Sequence, residues 1–145
     1  MSDHTSLTHA GYVAAVVAAL PVPIAYVSTR LVLPEQPRLA AVLLRSPAAT
    51  PQDLTAVPQV WLCWTEVSGW SLGTDPDGRS GLERVRWAHL GVLPDPVEVG
   101  QWVDDQMSSR PAAGAYQRPY YRVVDDDAAF ERSLATYAEH VERGA

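Results

Sequence analysis

The sequence predicts an α+β domain: an antiparallel sheet of four or five strands, with one N-terminal helix and two C-terminal helices. Three observations predict this class. Short apolar runs rich in Val, Leu and Trp alternate with turn residues through the middle of the chain. An alanine- and valine-rich stretch with helical spacing precedes them, and two amphipathic stretches follow. The connections between the apolar runs are short and none holds a convincing crossover helix, so neighbouring strands are expected to be antiparallel.

The centre of the prediction is a tryptophan-rich hairpin. Residues 60–65 are apolar on both faces and rich in aromatic and β-branched side chains, which favours a strand. The Val-Ser-Gly at 67–69 supplies a turn, because glycine takes a positive φ without a Cβ clash. A second strand follows at 70–73. A three-residue turn at this place pairs Trp64 with Leu72 across the hairpin.

The remaining elements are predicted from periodicity and from helix-capping residues. Strands are predicted at 24–33 and 39–44, and the 84–89 segment is either a fifth strand or a short helical turn. The first helix is capped by Thr5 or Ser6 and ends before Pro21. The second begins with Asp95 at the N-cap and Pro96 at the first helical position. The last helix follows three aspartates and covers residues 127–143.

Length and composition limit the possible functions. At 145 residues the chain forms a core domain over residues 1–107, followed by an arm and helix at 108–145 that belong to the same domain or extend an interface. An apolar content of 47% excludes a disordered chain. The net charge is −6, and all eleven basic residues are arginines. An acidic chain lacks the basic field that drives nucleic-acid binding.

The sequence also argues against membrane insertion and against metal binding. The longest apolar run, residues 12–20, is shorter than the roughly 20 residues that span a bilayer. No targeting segment is recognised at the N-terminus. The single cysteine, Cys63, cannot form an internal disulfide, so the chain is compatible with the cytoplasm. The four histidines are scattered, and neither a metal site nor a cofactor is predicted.

No sequence motif requires a particular reaction. Nucleophile elbows, phosphate-binding loops and zinc-protease signatures do not occur. The best candidate for a ligand pocket combines Arg84 and Arg86 with Glu66 and His89. Alternating guanidinium groups can bind an anionic ligand such as a carboxylate. In the alternative interpretation, nearby carboxylates of the chain neutralise them and no ligand binds.

The C-terminal arm is the candidate interface. It carries Tyr116, Arg118, Tyr120 and Tyr121, and the last helix presents an apolar stripe of Phe130, Leu134 and Tyr137. Tyrosine and arginine are enriched in interface hot spots. The long connection lets the last helix dock on its own sheet or on a neighbouring chain. We therefore expect a homodimer in which this arm and helix contribute to the contact, and exchange of the helix is one way to form it. In the alternative interpretation, the arm is a strap packed on the core and the chain is a monomer.

The chain resembles a small actinobacterial domain family of unknown function over about residues 11–107. The resemblance is carried by three features: the N-terminal helix GYVAAVVAAL, a hairpin of the form W-x-E-x-x-G-W-x-x-G (Trp64, Glu66, Gly69, Trp70 and Gly73), and the helix start GVLPDP from Gly91 to Pro96. It implies no activity, and nothing carries over to the segment after about Ser108.

These observations predict a non-enzymatic cytoplasmic module that acts by binding another protein, or that has a regulatory role. The rival hypothesis is a small-molecule binder or enzyme with an anion pocket near Arg84, Arg86 and Glu66. A structural subunit of a larger assembly is a third.

Overall fold

The computed structural model describes residues 9–21, 24–30, 38–44, 59–77, 81–107, 117–121 and 128–137. Its elements follow the order helix, five strands, two helices, which confirms the predicted α+β class. The helices are α1 (Ala10–Ala19), α2 (Pro96–Met107) and α3 (Ala128–Ala135). The strands are β1 (Ile24–Arg30), β2 (Leu39–Leu44), β3 (Gln59–Thr65), β4 (Gly69–Asp75) and β5 (Glu83–Trp87).

The five strands form one antiparallel meander in which spatial order equals chain order. Each pair of neighbours is antiparallel. The open alternative for residues 84–89 is resolved in favour of a strand, β5. The predicted hairpin register is wrong by two residues, since Trp64 lies opposite Trp70 and not Leu72, and Leu62 lies opposite Leu72. Side chains still face the predicted sides of the sheet, because Trp70 and Leu72 share one face.

The β3–β4 turn explains this register. The turn residues are Glu66, Val67 and Ser68, so the strands close at Thr65 and Gly69. The Thr65 hydroxyl accepts hydrogen bonds from the backbone N–H groups of Ser68 at 2.9 Å and Val67 at 3.3 Å. Gly69 has φ +79°, as expected. A Cβ at this position would lie 2.5 Å from the carbonyl oxygen of Gly91, so only glycine fits.

The helix starts differ in how their free N–H groups are satisfied. At α2 the Asp95 carboxylate accepts from the N–H of Val97 at 2.9 Å, and Glu98 accepts from the N–H of Asp95 at 3.2 Å. Asp95 is therefore the N-cap residue that the sequence predicts, and Glu98 reaches back to it as the glutamate of a capping box does. At α1 the N-cap residue is His9, whose side chain makes no capping hydrogen bond. The predicted caps Thr5 and Ser6 lie outside the described residues. So do the three aspartates before α3.

The core lies between one face of the sheet and the helices. Fully buried side chains from the strands and from α1 and α2 meet there; they include Val42, Leu62, Trp64, Trp70, Tyr12, Val16, Val99 and Val103. Helices α1 and α2 approach closely at Gly100, where a Cβ would lie 2.5 Å from the carbonyl oxygen of Ala19. Phe130 and Leu134 bring α3 into the same cluster.

The aromatic side chains in this core have partners for their polar atoms. The Trp64 indole donates to the carbonyl of Val92 at 2.7 Å. The Trp70 indole donates to the Tyr12 hydroxyl at 3.0 Å, and that hydroxyl donates to the carbonyl of Pro94 at 2.7 Å. Burial raises the pKa of the Tyr12 hydroxyl far above its ordinary value, so this hydroxyl stays neutral. These bonds fix the 92–94 segment against the sheet.

Candidate functional site

A buried ion pair joins the start of β2 to the β3–β4 turn. Arg38 is 6% exposed and Glu66 is 4% exposed. The Arg38 Nη1 group donates to Glu66 Oε2 at 2.8 Å, and the Arg38 backbone N–H donates to Glu66 Oε1 at 3.0 Å. Both carboxylate oxygens are therefore bound. The glutamate predicted to serve an anion pocket instead neutralises a buried arginine.

The same arginine reaches α3. Its Nη2 group donates to both carboxylate oxygens of Glu131 at 2.8 Å. The Glu131 side chain is 41% exposed, whereas that of Arg38 is 7% exposed. The Nε group of Arg38 is buried with no hydrogen-bond partner within the described parts of the chain. Arg38 thus depends on carboxylates from two distant segments.

His9 lies beside this pair and is fully buried. Its ring stacks on Trp64 with centroids 5.8 Å apart, and its Nε2–H donates to the carbonyl of Leu39 at 3.0 Å. The Nδ1 atom has no partner among the residues described. Burial lowers the pKa of His9; the Leu39 hydrogen bond opposes this effect and the Arg38 charge adds to it. The imidazole is therefore held neutral at physiological pH.

Helix α3 covers part of the core with the stripe that the sequence predicted as an interface. Phe130 is 6% exposed and Leu134 is fully buried. One turn further along the chain, the ring of Tyr137 meets that of Tyr12 edge-on, with centroids 4.9 Å apart. We call the surface beneath the helix, which includes Tyr12 and Arg38, the α3 site. In this single chain the α3 site is filled by the chain's own helix.

Residues 117–121 form a strap across the β3–β4 turn. The backbone N–H of Tyr121 donates to the carbonyl of Val67 at 2.8 Å. The Arg118 Nε–H donates to the Ser68 hydroxyl at 2.8 Å. His89 Nε2–H donates to the carbonyl of Gln117 at 2.8 Å. The strap interpretation of the arm is supported for these five residues, and Tyr116 lies outside the described residues.

The strap carries an exposed aromatic surface. The Arg118 guanidinium lies 5.3 Å from the ring centre of Trp87 and 4.9 Å from that of Tyr120. Tyr120 is 71% exposed and Tyr121 is 40% exposed. We call Trp87, Arg118, Tyr120 and Tyr121 the strap surface. At these distances the cation is attracted to the faces of both rings.

The two predicted pocket arginines, Arg84 and Arg86, line one cavity of about 180 Å³ beside α2. Arg86 donates to the Gln106 side chain at 2.9 Å. Arg84 has φ +55° at a register shift between β4 and β5, so an irregular backbone sets the direction of its side chain. Glu66 and His89 do not line this cavity. The structure therefore brings together two of the four predicted residues.

The face of the sheet opposite the core is also apolar. A groove of about 350 Å³ lies across β2 and β3, with Leu39, Ala41, Trp61 and Cys63 among its lining residues. Ala41 and Cys63 are cross-strand partners. Burial raises the pKa of the Cys63 thiol to about 11, which agrees with its predicted role as a small apolar residue.

Metal binding and membrane insertion find no support in the parts of the chain that the structure covers. Among those residues, no three His, Cys, Asp or Glu side chains are grouped in a way that could hold an ion. None of the described helices has the length and apolar character that crossing a bilayer requires.

The fold and these surfaces define a small α+β domain with a buried ion cluster and an aromatic strap. A family model described as "Family of unknown function (DUF6292)" matches residues 12–105, and the chain belongs to this family. The match ends before the strap and α3. No curated protein and no solved structure matches the chain.

Proposed function

We propose that this chain is a non-enzymatic cytoplasmic protein-interaction or regulatory module that binds another protein through the strap surface. The observation that carries the proposal is Tyr120, which is 71% exposed while its ring lies 4.9 Å from the Arg118 guanidinium. Tyrosine, tryptophan and arginine are the residue types on which binding energy concentrates in protein interfaces. They meet here on one small area.

Preorganisation supports this role. Arg118 is held by Ser68, which is 1% exposed, and the strap backbone is hydrogen-bonded to Val67. A side chain that is already ordered loses less conformational entropy on binding than a free one. The surface suits a partner segment that combines apolar side chains with a carboxylate, which Arg118 attracts.

The proposal is tested by quantitative capture from a lysate of the native host. Wild-type chain is compared with Tyr120→Ser and with Val97→Ser, a control that removes from α2 an apolar side chain of similar exposure, 61%. We expect one protein or a few to be captured by wild type and by Val97→Ser, and to be depleted at least about tenfold by Tyr120→Ser. Equal capture by all three chains contradicts the proposal.

The second candidate function is the binding of a small anionic ligand between Arg84 and Arg86. It is favoured by the cavity that both arginines line and by the strained φ of Arg84. Two guanidinium groups at one cavity can bind a carboxylate or phosphate. Titration with inorganic phosphate and with acetate, followed by NMR, is the test. Shifts confined to the cavity in wild type and lost in Arg84→Gln support this function; shifts that Arg84→Gln leaves unchanged contradict it.

A further inference from the structure

The strap surface and the apolar groove across β2 and β3 lie on the same face of the sheet. Cys63 lines the groove and is paired with Ser71, and Ser71 is paired in turn with Trp87 of the strap surface. Residues that lie directly opposite each other on neighbouring antiparallel strands point to the same face. Trp87 is therefore on the face that carries the groove, and two strand spacings, about 10 Å, separate its backbone from that of Cys63.

The two surfaces also meet at the β3–β4 turn. Thr65 lines the groove and is paired with Gly69. The Tyr121 ring lies against Gly69, because its Cε2 atom is 3.5 Å from the position that a Cβ on Gly69 would occupy. Tyr121 is 40% exposed, and Leu39, the partner of Thr65 on β2, is 39% exposed. The strap thus borders the groove at this end, so that one ligand can contact both.

The strap supplies a cation that this ligand can neutralise. The Arg118 guanidinium is exposed and donates its Nε–H to Ser68. Neither of the two ion pairs found within the described parts of the chain involves Arg118. The Nη groups of an arginine placed in this way can bind a carboxylate. The groove itself is lined mainly by apolar side chains. A complementary ligand is therefore apolar in the groove and anionic at Arg118.

The width of the groove favours an extended chain over a helix. Leu39 and Trp61 flank Ala41 and Cys63 on the outer face, and Trp61 is paired with Leu43. Leu43 is four residues from Leu39 on β2, which places the two flanks about 13 Å apart along the strand. The flanking side chains occupy part of this width, whereas a helix with its side chains is about 10–12 Å across. An extended chain is narrower and can place alternate side chains in the groove.

We infer that the groove and the strap surface together bind one extended acidic segment of the partner protein, with a large apolar side chain in the groove and a carboxylate on Arg118. This inference rests on the proposed function, and it states which kind of segment the partner presents. A distance of about 10 Å corresponds to about three residues of extended chain. The carboxylate is therefore expected about two to four positions from the apolar residue.

Selection from a random-peptide phage library on the immobilised full chain provides the ligand for the test. We expect the enriched peptides to share an Asp or Glu about two to four positions from a large apolar residue. The tightest of them is synthesised, together with a version in which the carboxylate is replaced by its amide. Isothermal titration calorimetry then measures the Kd of both peptides for wild type and for Arg118→Gln. We expect the amide to bind wild type about tenfold more weakly, and to bind Arg118→Gln no more weakly than the acidic peptide does.

The groove is tested separately with the acidic peptide. Ala41→Leu fills part of the groove and leaves the strap unchanged, so it should weaken binding about tenfold, whereas Val97→Ser on α2 should have no effect. If tryptophan fluorescence shows that Ala41→Leu does not fold, Ser28→Leu fills the same groove from β1 and takes its place. Full-strength binding to the folded groove variant overturns the inference. So does the absence of any enriched peptide, or an equal loss of affinity for the amide in wild type and Arg118→Gln.

Other occupants of the groove and failure of the proposed function have their own outcomes. A free chain that is dimeric by light scattering, and that Ala41→Leu makes monomeric, assigns the groove to a second copy and overturns the inference. Lysate capture that Tyr120→Ser depletes and Ala41→Leu leaves unchanged supports binding at the strap surface but overturns its extension into the groove. Lysate capture that Tyr120→Ser leaves unchanged contradicts the proposed function, and the inference falls with it.

Discussion

The Trp70 indole and the Tyr12 hydroxyl are joined by a buried hydrogen bond of 3.0 Å that links β4 to α1. The Tyr12 hydroxyl in turn donates to the carbonyl of Pro94 at 2.7 Å, just before α2. One hydroxyl group thus connects the sheet, the first helix and the segment that leads into the second. Because all three groups are buried, removing the hydroxyl leaves a donor and an acceptor without a partner.

We therefore expect Tyr12→Phe to lower the free energy of unfolding by about 1–3 kcal/mol. Urea unfolding followed by tryptophan fluorescence measures the change. Tyr120→Phe is the matched control, since it removes a hydroxyl from a side chain that is 71% exposed and should leave stability nearly unchanged. Equal stability of Tyr12→Phe and wild type would show that the hydroxyl does not hold these elements together.

Trp64 should contribute more to stability than any tryptophan on the other face of the sheet. It is fully buried between His9, Tyr12 and Trp70. Truncation to alanine removes a large apolar side chain and leaves a cavity, so Trp64→Ala should cost about 3–5 kcal/mol. Trp61→Ala, on the half-buried outer face, is the control and should cost less. A loss below about 1 kcal/mol for Trp64→Ala contradicts the central position of the hairpin.

His9 predicts a pH dependence of stability. Burial lowers the pKa of His9 in the folded chain below its ordinary value of 6.5. As the pH falls below 6.5, His9 becomes protonated in the unfolded chain but stays neutral in the folded chain. The free energy of unfolding therefore decreases until the pH reaches the lower pKa that His9 has in the folded chain. The slope contributed by one such group approaches about 1.4 kcal/mol per pH unit.

Chemical denaturation between pH 5 and pH 7, on wild type, His9→Gln and the exposed control His89→Gln, measures this slope. We expect His9→Gln to flatten the loss of stability below pH 6.5, whereas His89→Gln should follow wild type. The same slope in wild type and His9→Gln would mean that the imidazole is not held neutral by burial.

Cys63 should react slowly with thiol reagents. A shift of its pKa from 9.0 to about 11 reduces the thiolate fraction at pH 8 about a hundredfold. We expect an aromatic disulfide reagent to label the folded chain at least tenfold more slowly than the urea-unfolded chain. Equal rates in the two states would show that the outer face of the sheet is open to solvent at this position.

Local sequence signals predicted much of the fold. Asp95 and Pro96 locate the start of α2 to the residue, because capping depends on neighbours in the chain. Gly69 marks the hairpin turn for the same reason. The predicted register was wrong by two residues because Thr65 accepts two turn hydrogen bonds, so the turn occupies residues 66–68 and not 67–69.

The buried ion cluster could not be predicted in the same way. Arg38 binds carboxylates 28 and 93 positions away in the chain, and it follows a Pro-rich connection that carries no periodic signal. One clue was available: Glu66 directly follows an apolar strand, and a carboxylate buried in such a place needs a cation. The sequence suggested Arg84 and Arg86 because they alternate on one side of their segment, whereas in the fold Arg38 is the partner of Glu66.

Site-specific photo-crosslinking tests the central claim, that the strap surface binds another protein, most directly. A benzophenone side chain is incorporated at position 120 in the full-length chain, in cells of the native host, and at position 97 on α2 as the control. We predict a discrete crosslinked protein other than the chain itself from position 120 and none from position 97. No crosslinked partner from position 120, or the same partner from both positions, contradicts a role for the strap surface in binding.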